Sequence, residues 1–383
     1  MRVLLVAARY LPHRGGLETV VHEVATWLTS QGHQVMIVTN RFPRTLAARE
    51  EIDGIPIRRL LFIYPEPRYL RSKKIGLWLV SFPIFPATLF QLMTIIRRFK
   101  PDVVNLHYVG NSAPFVLLLR RMFHFPLVVS LHGSDVFAEP KQSRLHRGIF
   151  GLMLINADET TACSQILLDE ALDMVPEIAE KARVIHNGVN AALFLNAPEY
   201  QSERPYLFAA GRLSHTKGFD ILIAAFERIA NQRADLDLLI AGEGTERALL
   251  ETQIQHASLT HRITLMGVAR PEQVASLMRG AHAVLIPSRH EAFGIVALEA
   301  MAAGRPIIAH RVGGLVEALQ GAEVTWVHDE KPANWASAIL ATGDMPQANA
   351  HNRAEAAQHS WTATAQKYLS VILNVSSQRS DQP

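Results

Sequence analysis

The chain has 383 residues, of which 49% are hydrophobic and 19% are charged. This length exceeds what a single hydrophobic core usually serves, and the composition excludes a disordered chain. The only cysteine, Cys163, excludes an internal disulfide and is predicted to be a small packed residue. Met1 and Arg2 lead directly into a hydrophobic run without the pattern of a signal peptide, so we expect a cytoplasmic protein.

The charge is distributed unevenly along the chain. Residues 1–150 carry 20 Lys and Arg against 9 Asp and Glu, a net charge of +11, whereas the remainder carries 18 against 26 and has a net charge of −8. We therefore expect the first part of the chain to face an acidic partner, such as an anionic membrane or a phosphorylated acceptor. No compact basic cluster with interleaved aromatic residues accompanies the charge, so nucleic acid is not an expected partner.

Hydrophobic periodicity predicts alternating strands and helices in the first half of the chain. A strand at 2–8, a helix at 17–30 and a strand at 32–39 form a βαβ unit. Further strands are predicted at 55–62, 102–107, 126–132 and 182–186. Helices are expected between most of these strands, which is the pattern of a parallel sheet covered by helices.

The pattern begins again after the polar, proline-containing stretch 196–205. Strands are predicted there at 206–210, 236–241, 262–266, 283–287, 306–309 and 323–327. The fold class is therefore α/β, with two Rossmann-like, doubly wound domains at 1–198 and 199–360. Such sheets bind ligands at the carboxyl ends of their strands, so we expect the site in the cleft between the domains.

An uncharged segment, residues 76–96, is flanked by the basic stretches 71–74 and 97–100. Its length raises the question of a membrane-spanning helix. We expect no spanning helix, because Pro83 and Pro86 should interrupt it and a strand follows directly. Two interpretations remain open: a helix that covers the sheet, and a surface that dips into a membrane interface, so that the protein is peripheral at the inner face of the membrane.

The stretch from Ser288 to Ala309 predicts a loop, a helix that begins near Gly294 and ends at Gly304, and a strand. The unpaired first-turn amides and the helix dipole favour a bound diphosphate. These amides belong to Gly294, Ile295 and Val296. Two carboxylates, Glu291 in the loop and Glu299 in the helix, flank this position and can accept hydrogen bonds from vicinal hydroxyls. The alternative is ordinary helix capping.

The loop after the first strand of the second domain runs from Gly211 to Asp220 and contains Arg212 and Lys217. A strand-to-helix loop is where a phosphate ligand binds in such a fold. Two fixed cations beside a helix N-terminus can replace the divalent metal that neutralises a departing diphosphate. The alternative is a pair of solvated side chains with Gly218 as a helix-entry residue.

In the first domain, Gly15 and Gly16 lie at the first strand-to-helix turn, where backbone amides can approach a phosphate or a sugar. His132 ends a strand and is followed by Asp135, and both are candidates for contact with a sugar hydroxyl or an acceptor. His107, at the end of the neighbouring strand, is a weaker candidate of the same kind. For each of these residues a structural role, such as capping by Asp135, is the alternative.

Taken together, these motifs give the chain a resemblance to the retaining glycosyltransferases of the GT-B superfamily often called family 4. The matching motifs occur in the order and separations of that family, over nearly the whole chain. They are Gly15 to Glu18, His132 to Asp135, Asn187 to Val189, Gly211 to Leu213 with Lys217 and Gly218, and Glu291 to Glu299.

The resemblance implies a metal-independent transfer of a sugar from a nucleotide-sugar donor to a sugar or a lipid-linked acceptor, with no cofactor. It implies catalytic roles for His132, Arg212, Lys217 and Glu291, with the two cations holding the diphosphate. It implies donor contacts by Gly16, Phe293, Gly294, Ile295, Val296 and Glu299, the last at the ribose. Gly15, His107 and Asp135 are assigned to the acceptor, and a final helix at 361–376 is expected to complete the first domain.

Three departures from the family pattern occur. Ala292 and Asn190 replace a common glycine and aspartate without removing a polar role, and the region after Glu317 is compressed. Asp235 and Asp237 spell a metal-binding pattern of a different fold, which we interpret as coincidence, so no metal site is predicted.

Two further function classes are weighed against the transferase. A sugar-nucleotide-binding protein without catalysis would have the same residues, because each proposed site residue also binds. A nucleotide-dependent oxidoreductase is disfavoured, because the G-x-G-x-x-G dinucleotide fingerprint is missing. The acceptor is expected to be membrane-linked or an intermediate of an envelope polysaccharide, on the strength of the basic first domain and the 76–96 segment.

Overall fold

A computed structural model of the chain describes residues 1–67, 69, 72–343 and 348–380. It divides into two compact units. The first unit consists of Met1–Ile185 together with the chain from Thr362 onward, and the second consists of His186–Trp361. The chain enters the second unit ahead of the predicted residue 198, because the helix Ala191–Asn196 packs on three helices of that unit.

The first unit is built on an eight-stranded sheet with the order β3-β4-β2-β1-β5-β6-β7-β8. All neighbours are parallel except β3 and β4. The strands are β1 (Arg2–Ala7), β2 (Gln34–Asn40), β3 (Arg49–Ile52), β4 (Ile55–Leu60), β5 (Val103–His107), β6 (Leu127–Leu131), β7 (Glu159–Ala162) and β8 (Ala182–Val184). The central strands β5 and β6 are buried along their whole length, as expected where helices cover both faces.

The helices of the first unit are α1 (Gly16–Ser30), α2 (Ile75–Phe99), α3 (Ala113–Phe123), α4 (Ser134–Phe137), α5 (Glu139–Gln142), α6 (Arg144–Asn156) and α7 (Gln165–Met174). A 3₁₀ helix, Pro176–Lys181, precedes β8. The C-terminal helix, Trp361–Ser380, lies in this unit from Thr362 onward and buries Tyr368, Val371, Ile372 and Val375. Its Asn374 donates a hydrogen bond to Glu159 at 3.2 Å.

The second unit has a six-stranded parallel sheet with the order β11-β10-β9-β12-β13-β14. Its strands are β9 (Tyr206–Ala210), β10 (Asp237–Ala241), β11 (Ile263–Gly267), β12 (Ala283–Ile286), β13 (Ile307–His310) and β14 (Thr325–Val327). Its helices are α8 (Ala191–Asn196), α9 (Phe219–Ile229), α10 (Arg247–His256), α11 (Pro271–Gly280), α12 (Ile295–Ala303), α13 (Leu315–Ala318), α14 (Pro332–Leu340) and α15 (Ala350–Gln358), and a 3₁₀ helix spans His215–Lys217. The two doubly wound sheets confirm the predicted α/β fold class.

Two of the observed strands, β7 and β3, were not predicted from the sequence. β7 reads Glu-Thr-Thr-Ala, yet all four residues are buried. Two of its polar side chains are bonded inside the sheet, where Thr161 donates a hydrogen bond to Ser130 at 2.9 Å and Arg183 pairs with Glu159. The buried hydroxyl of Thr160 has no hydrogen-bond partner among the described residues. β3 is a charged edge strand, which hydrophobic periodicity does not detect.

Helix α2 corrects one expectation. Pro83 and Pro86 were expected to interrupt it, but it runs without a break from Ile75 to Phe99. Both prolines are exposed, so water can reach the carbonyl groups that each proline leaves without an amide partner one turn earlier. By length and composition α2 could cross a membrane, although only 22% of its most hydrophobic 18-residue window is buried.

The core of the second unit depends on Trp335 in α14, which is fully buried and donates its indole N–H to the carbonyl of Asp329 at 3.2 Å. We expect Trp335→Ala to lower the free energy of unfolding by about 3–5 kcal/mol, because it leaves a cavity in a closed core. Urea unfolding followed by circular dichroism measures this change. Leu340→Ala on the same helix, where the side chain is 38% exposed, is the control and should cost much less; equal losses would contradict the assignment.

Candidate functional site

The topology of each sheet determines where a ligand can bind. In the second sheet the strand order reverses direction between β9 and β12, which are direct neighbours. In the first sheet the reversal lies between β1 and β5. Doubly wound sheets bind ligands beyond the carboxyl ends of the strands at such switch points. The predicted site residues of each unit lie at the carboxyl ends of these strands and of β6, or in the loops and helices that follow them.

In the second unit, the loop after β12 leads into α12 through Gly294, which has a left-handed φ of 92°. A side chain at Gly294 would collide with Leu315 and would lie 3.1 Å from Cγ of Glu291. The Glu291 side chain therefore lies against the N-cap residue of the helix. The amides of Gly294, Ile295 and Val296 open the helix, so they present unpaired N–H groups and the positive end of the helix dipole at this point.

Glu291 forms an ion pair with Lys217. Nζ of Lys217 lies 2.5 Å from Oε2 of Glu291, and the hydroxyl of Ser288 donates to the same oxygen at 3.2 Å. The two side chains are 24% and 13% exposed, so the pair is shielded but reachable. Separate motifs point to the two residues, and neither motif predicts this pairing, since 74 positions separate them. Because the two residues follow β9 and β12, the pairing could have been predicted if these strands were known to be neighbours.

Arg289, which the sequence analysis did not single out, joins the two loops that carry this pair. Its guanidinium donates to both carboxylate oxygens of Asp220 at 2.7 Å and to Glu330 at 2.7 Å. Another hydrogen bond reaches the carbonyl of His215, and its own amide donates to the carbonyl of Thr216, both at 2.8 Å. Arg289 therefore holds the turn that precedes Lys217 against the loop that carries Glu291.

The electrostatics of this brace favour its charged form. Burial raises the pKa of Asp220, but the hydrogen bonds and charge of Arg289 outweigh burial and hold the pKa below its ordinary value. The hydrogen bonds that Arg289 donates to Asp220 and Glu330, together with the charges of these carboxylates, raise the pKa of Arg289 above its ordinary value. Arg212, by contrast, is exposed and forms no ion pair among the described residues, so its guanidinium is open to a ligand.

Glu299 lies in the second turn of α12 and is partly buried. Burial raises its pKa to about 7. Phe293, just before the helix, is buried, and its ring stacks on the ring of His186 at a centroid distance of 5.4 Å. The Phe293 side chain thus packs inside the unit, which leaves its backbone as the part that faces the loop.

In the first unit, His132 and His107 form a hydrogen-bonded pair at the ends of β6 and β5. Nδ1 of His107 lies 3.0 Å from Nε2 of His132, and the rings stack at a centroid distance of 5.2 Å. Burial lowers the pKa of His132 to about 3, and burial together with His132 lowers the pKa of His107 well below its usual range. Both imidazoles are therefore neutral at physiological pH, and His107 is fully buried against His132.

Asp135 is also fully buried in the first unit. Its carboxylate accepts hydrogen bonds from the amides of His132 at 3.0 Å, Gly133 at 2.7 Å and Val109 at 3.4 Å. Burial raises the pKa of Asp135 to about 6, although these hydrogen bonds oppose the increase. The arrangement matches the capping alternative, in which Asp135 fixes the loop that presents His132.

Gly15 and Gly16 open α1 at the carboxyl end of β1. Gly15 is the N-cap, with extended backbone, and its carbonyl accepts hydrogen bonds from the amide and the hydroxyl of Thr19, both at 3.0 Å. Gly15 has no side chain to cap the helix, and Gly16 is exposed. The first amides of this 15-residue helix therefore remain open to a ligand.

Among the described residues, no group of three or more His, Cys, Asp or Glu side chains could hold a metal ion. Asp235 and Asp237, which spell the metal pattern of another fold, form ion pairs with Arg233 and Arg262 respectively. Cys163, the only cysteine of the sequence, is buried, which agrees with the predicted packing role.

Comparison with known proteins supports the interpretation of the motifs. The sequence profile described as Glycosyltransferase Family 4 matches residues 14–193, and that described as Glycosyl transferases group 1 matches residues 195–359. Glycogen synthase from Mycobacterium tuberculosis is 29% identical over 397 aligned positions, covering 96% of this chain and 94% of the relative.

Two solved structures share the fold along nearly the whole chain. Sucrose-phosphate synthase from Thermosynechococcus elongatus aligns with a TM-score of 0.77 and 22% identity, covering 98% of both chains. HepE from Anabaena, solved in complex with UDP-glucose, aligns with a TM-score of 0.77 and 18% identity, covering 98% of this chain and 100% of its own. The chain belongs to the group 1, or family 4, glycosyltransferases with the GT-B fold, enzymes that use nucleotide-sugar donors.

Proposed function

We propose that this enzyme transfers a sugar from a nucleotide-sugar donor with retained anomeric configuration and without a metal ion, and that the second unit binds the donor. The observation that carries the proposal is the Lys217–Glu291 ion pair at the N-terminus of α12. It combines a cation for the diphosphate and a carboxylate for the sugar hydroxyls in one shielded position.

The cations of the site are proposed to stabilise the negative charge of the departing diphosphate. When the bond between the anomeric carbon and the diphosphate breaks, the electron pair leaves with the diphosphate and negative charge grows on its oxygens. Lys217, Arg212 and the amides that open α12 can stabilise that charge in place of a divalent metal. The ammonium of Lys217 has three N–H donors, so it can bind a phosphate oxygen and keep its contact with Glu291.

Retention follows from the resemblance to family 4, and it constrains the geometry of the acceptor. The acceptor oxygen must form its bond on the face of the sugar that the diphosphate leaves, so its proton can pass to a departing phosphate oxygen. His132 is neutral, which suits it to orient a hydroxyl by hydrogen bonding rather than to supply a charge. The open amides of α1 near Gly16 are assigned to the phosphate or the acceptor.

The acceptor that we propose is membrane-linked or an intermediate of an envelope polysaccharide, with the protein on the cytoplasmic side of the membrane. The support is electrostatic, since residues 1–150 carry a net charge of +11. A phosphorylated lipid carrier or an anionic bilayer would complement this charge.

Calorimetric titration with UDP-, GDP- and ADP-glucose, each with and without EDTA, tests the proposal directly. We expect one nucleotide to bind best and EDTA to leave its affinity and the rate of transfer unchanged, because the protein supplies the positive charge. Proton NMR of the product should show the anomeric configuration of the donor. Loss of binding in EDTA, or an inverted product, would contradict the proposal.

Lys217→Ala should lower kcat/KM for sugar transfer by about 100-fold or more, since removal of one preorganised donor to a developing charge typically has this effect. The measurement is the initial rate of nucleotide release in the presence of acceptor. Lys331→Ala is the matched control, because Lys331 is a surface lysine of the same unit with a 78% exposed side chain. Equal activity of Lys217→Ala and the control would show that the site is assigned wrongly.

The raised pKa of Glu299 leads us to expect that donor binding depends on pH. A ribose hydroxyl donates better to an ionised carboxylate, and the pKa of Glu299 is about 7. Affinity for the preferred nucleotide sugar should therefore rise by up to about tenfold between pH 6 and pH 8. Glu299→Gln should remove this dependence; a slope that persists in the variant would assign it to another group.

The raised pKa of Glu299 also makes the free energy of unfolding depend on pH: donor affinity should rise with pH, whereas stability should fall. The pKa of Glu299 is higher in the folded chain than its ordinary value of 4.5, so the unfolded chain ionises first. Its contribution to the free energy of unfolding should thus fall, by about 2–3 kcal/mol, as pH rises from about 4.5 to about 7. Urea unfolding of the wild type and of Glu299→Gln at both ends of this range is an independent check.

A further inference from the structure

Helix α2 presents an unusual face to its surroundings. Its 18-residue apolar window is only 22% buried, and no charged residue occurs between Lys74 and Arg97. At 100° per residue, its exposed apolar positions fall within an arc of about 160°. These positions, named here the apolar face, are Ile75, Leu79, Val80, Phe82, Pro83, Pro86, Ala87 and Phe90.

The opposite side of α2 fixes the helix to the first unit. Its buried residues are Ser81, Thr88, Leu92 and Ile96. The hydroxyl of Thr88 donates to the carbonyl of Leu61 at 2.9 Å, and the chain returns to the sheet at Val103, four residues after the helix ends. A membrane-spanning helix is surrounded by lipid or by other membrane-embedded segments, whereas one side of α2 packs on the sheet-containing first unit, so we infer an orientation along a surface.

Cations frame the apolar face. The 35 residues from Pro67 to Pro101 contain seven Lys or Arg and no Asp or Glu. Lys73 and Lys74 are exposed before the helix, and Arg97, Arg98 and Lys100 are exposed at its end. None of these five forms an ion pair within the part of the chain that the structure describes.

A groove of about 420 Å³ lies at the C-terminal end of α2. Arg2, Arg97, Lys100 and His124 contribute its basic groups, and Asp102 is the acidic one. Arg97 also lies over the ring of Phe123, with its guanidinium carbon 5.3 Å from the ring centroid. The apolar face thus ends in a basic groove of a size and charge that suit a phosphate headgroup.

We propose that α2 lies along the interface of an anionic bilayer, with the apolar face among the acyl chains and the flanking cations at the headgroup phosphates. Buried apolar area and electrostatic attraction together determine the strength of such binding. A second copy of the chain fits less well, because pairing two such faces would bring their cationic ends together. This inference rests on the proposed membrane-linked acceptor, since it would bring the enzyme to that acceptor.

Vesicle co-sedimentation tests the surface. Full-length protein is mixed with phosphatidylcholine vesicles, or with vesicles containing 30% phosphatidylglycerol, at low and high NaCl. We expect binding to the anionic vesicles that weakens at high salt, and little binding to neutral ones. The double variant Phe82→Ser with Phe90→Ser should lower the partition coefficient by about tenfold or more, because two exposed aromatic side chains no longer enter the bilayer.

Matched variants separate this surface from nonspecific attraction. Leu249→Ser with Val268→Ser replaces two exposed apolar residues of the second unit, 64% and 72% exposed, and should leave partitioning unchanged. Lys74→Ala should weaken binding by about fivefold, the effect of one surface cation on an anionic bilayer. Equal partitioning of all variants, or no preference for anionic vesicles, would overturn the inference.

Two further readouts keep the alternatives apart. Size-exclusion chromatography without vesicles should give a monomer; a dimer that dissociates in Phe82→Ser with Phe90→Ser would overturn the inference in favour of a second copy. Donor calorimetry on the same variant should match the wild type. Donor binding without vesicle binding would refute only the membrane surface, whereas vesicle binding without donor binding would refute only the proposed function.

Discussion

The ion pair between Lys217 and Glu291 is the interaction on which the candidate donor site of this enzyme depends. It exists because β9 and β12 are neighbours at the point where the strand order reverses, so that the loops after them meet. Either charge alone would carry an uncompensated desolvation penalty in this shielded position, and the opposite charge offsets that penalty. The pair thereby keeps a cation and a carboxylate in place before a donor arrives.

Neighbouring residues hold the Lys217–Glu291 pair in its position. Arg289 bonds to Asp220, to Glu330 and to the backbone of the Lys217 turn, so the two loops cannot separate without exposing a charged network. The glycines of the next loop also allow close packing, since a side chain on Gly313 or Gly314 would collide with the backbone carbonyl of Glu291 or Ala292. The site is therefore rigid for backbone reasons as well as electrostatic ones.

The sequence was sufficient to predict the fold class and the positions of most strands, because buried parallel strands are continuous hydrophobic runs. It was insufficient where burial depends on hydrogen bonds rather than on apolar side chains, as in β7. It also misjudged α2, since the cost of an interior proline depends on whether water reaches the carbonyl left without a partner. Local patterns likewise place His107 and His132 on separate strands, and only the sheet order shows them bonded to each other.

The distribution of charge separates two kinds of surface in the molecule. Around the donor site the cations are largely held by carboxylates, as Lys217 is by Glu291 and Arg289 by Asp220, so specificity there comes from geometry. From Pro67 to Pro101 the sequence supplies seven cations and no carboxylate at all. Lys73, Lys74, Arg97, Arg98 and Lys100 form no ion pair among the described residues, so they keep their long-range attraction for an anionic surface, whereas the candidate donor site is suited to one small molecule. The cations are thus paired with carboxylates at the candidate donor site, whereas those that flank α2, where we propose the membrane surface, are not.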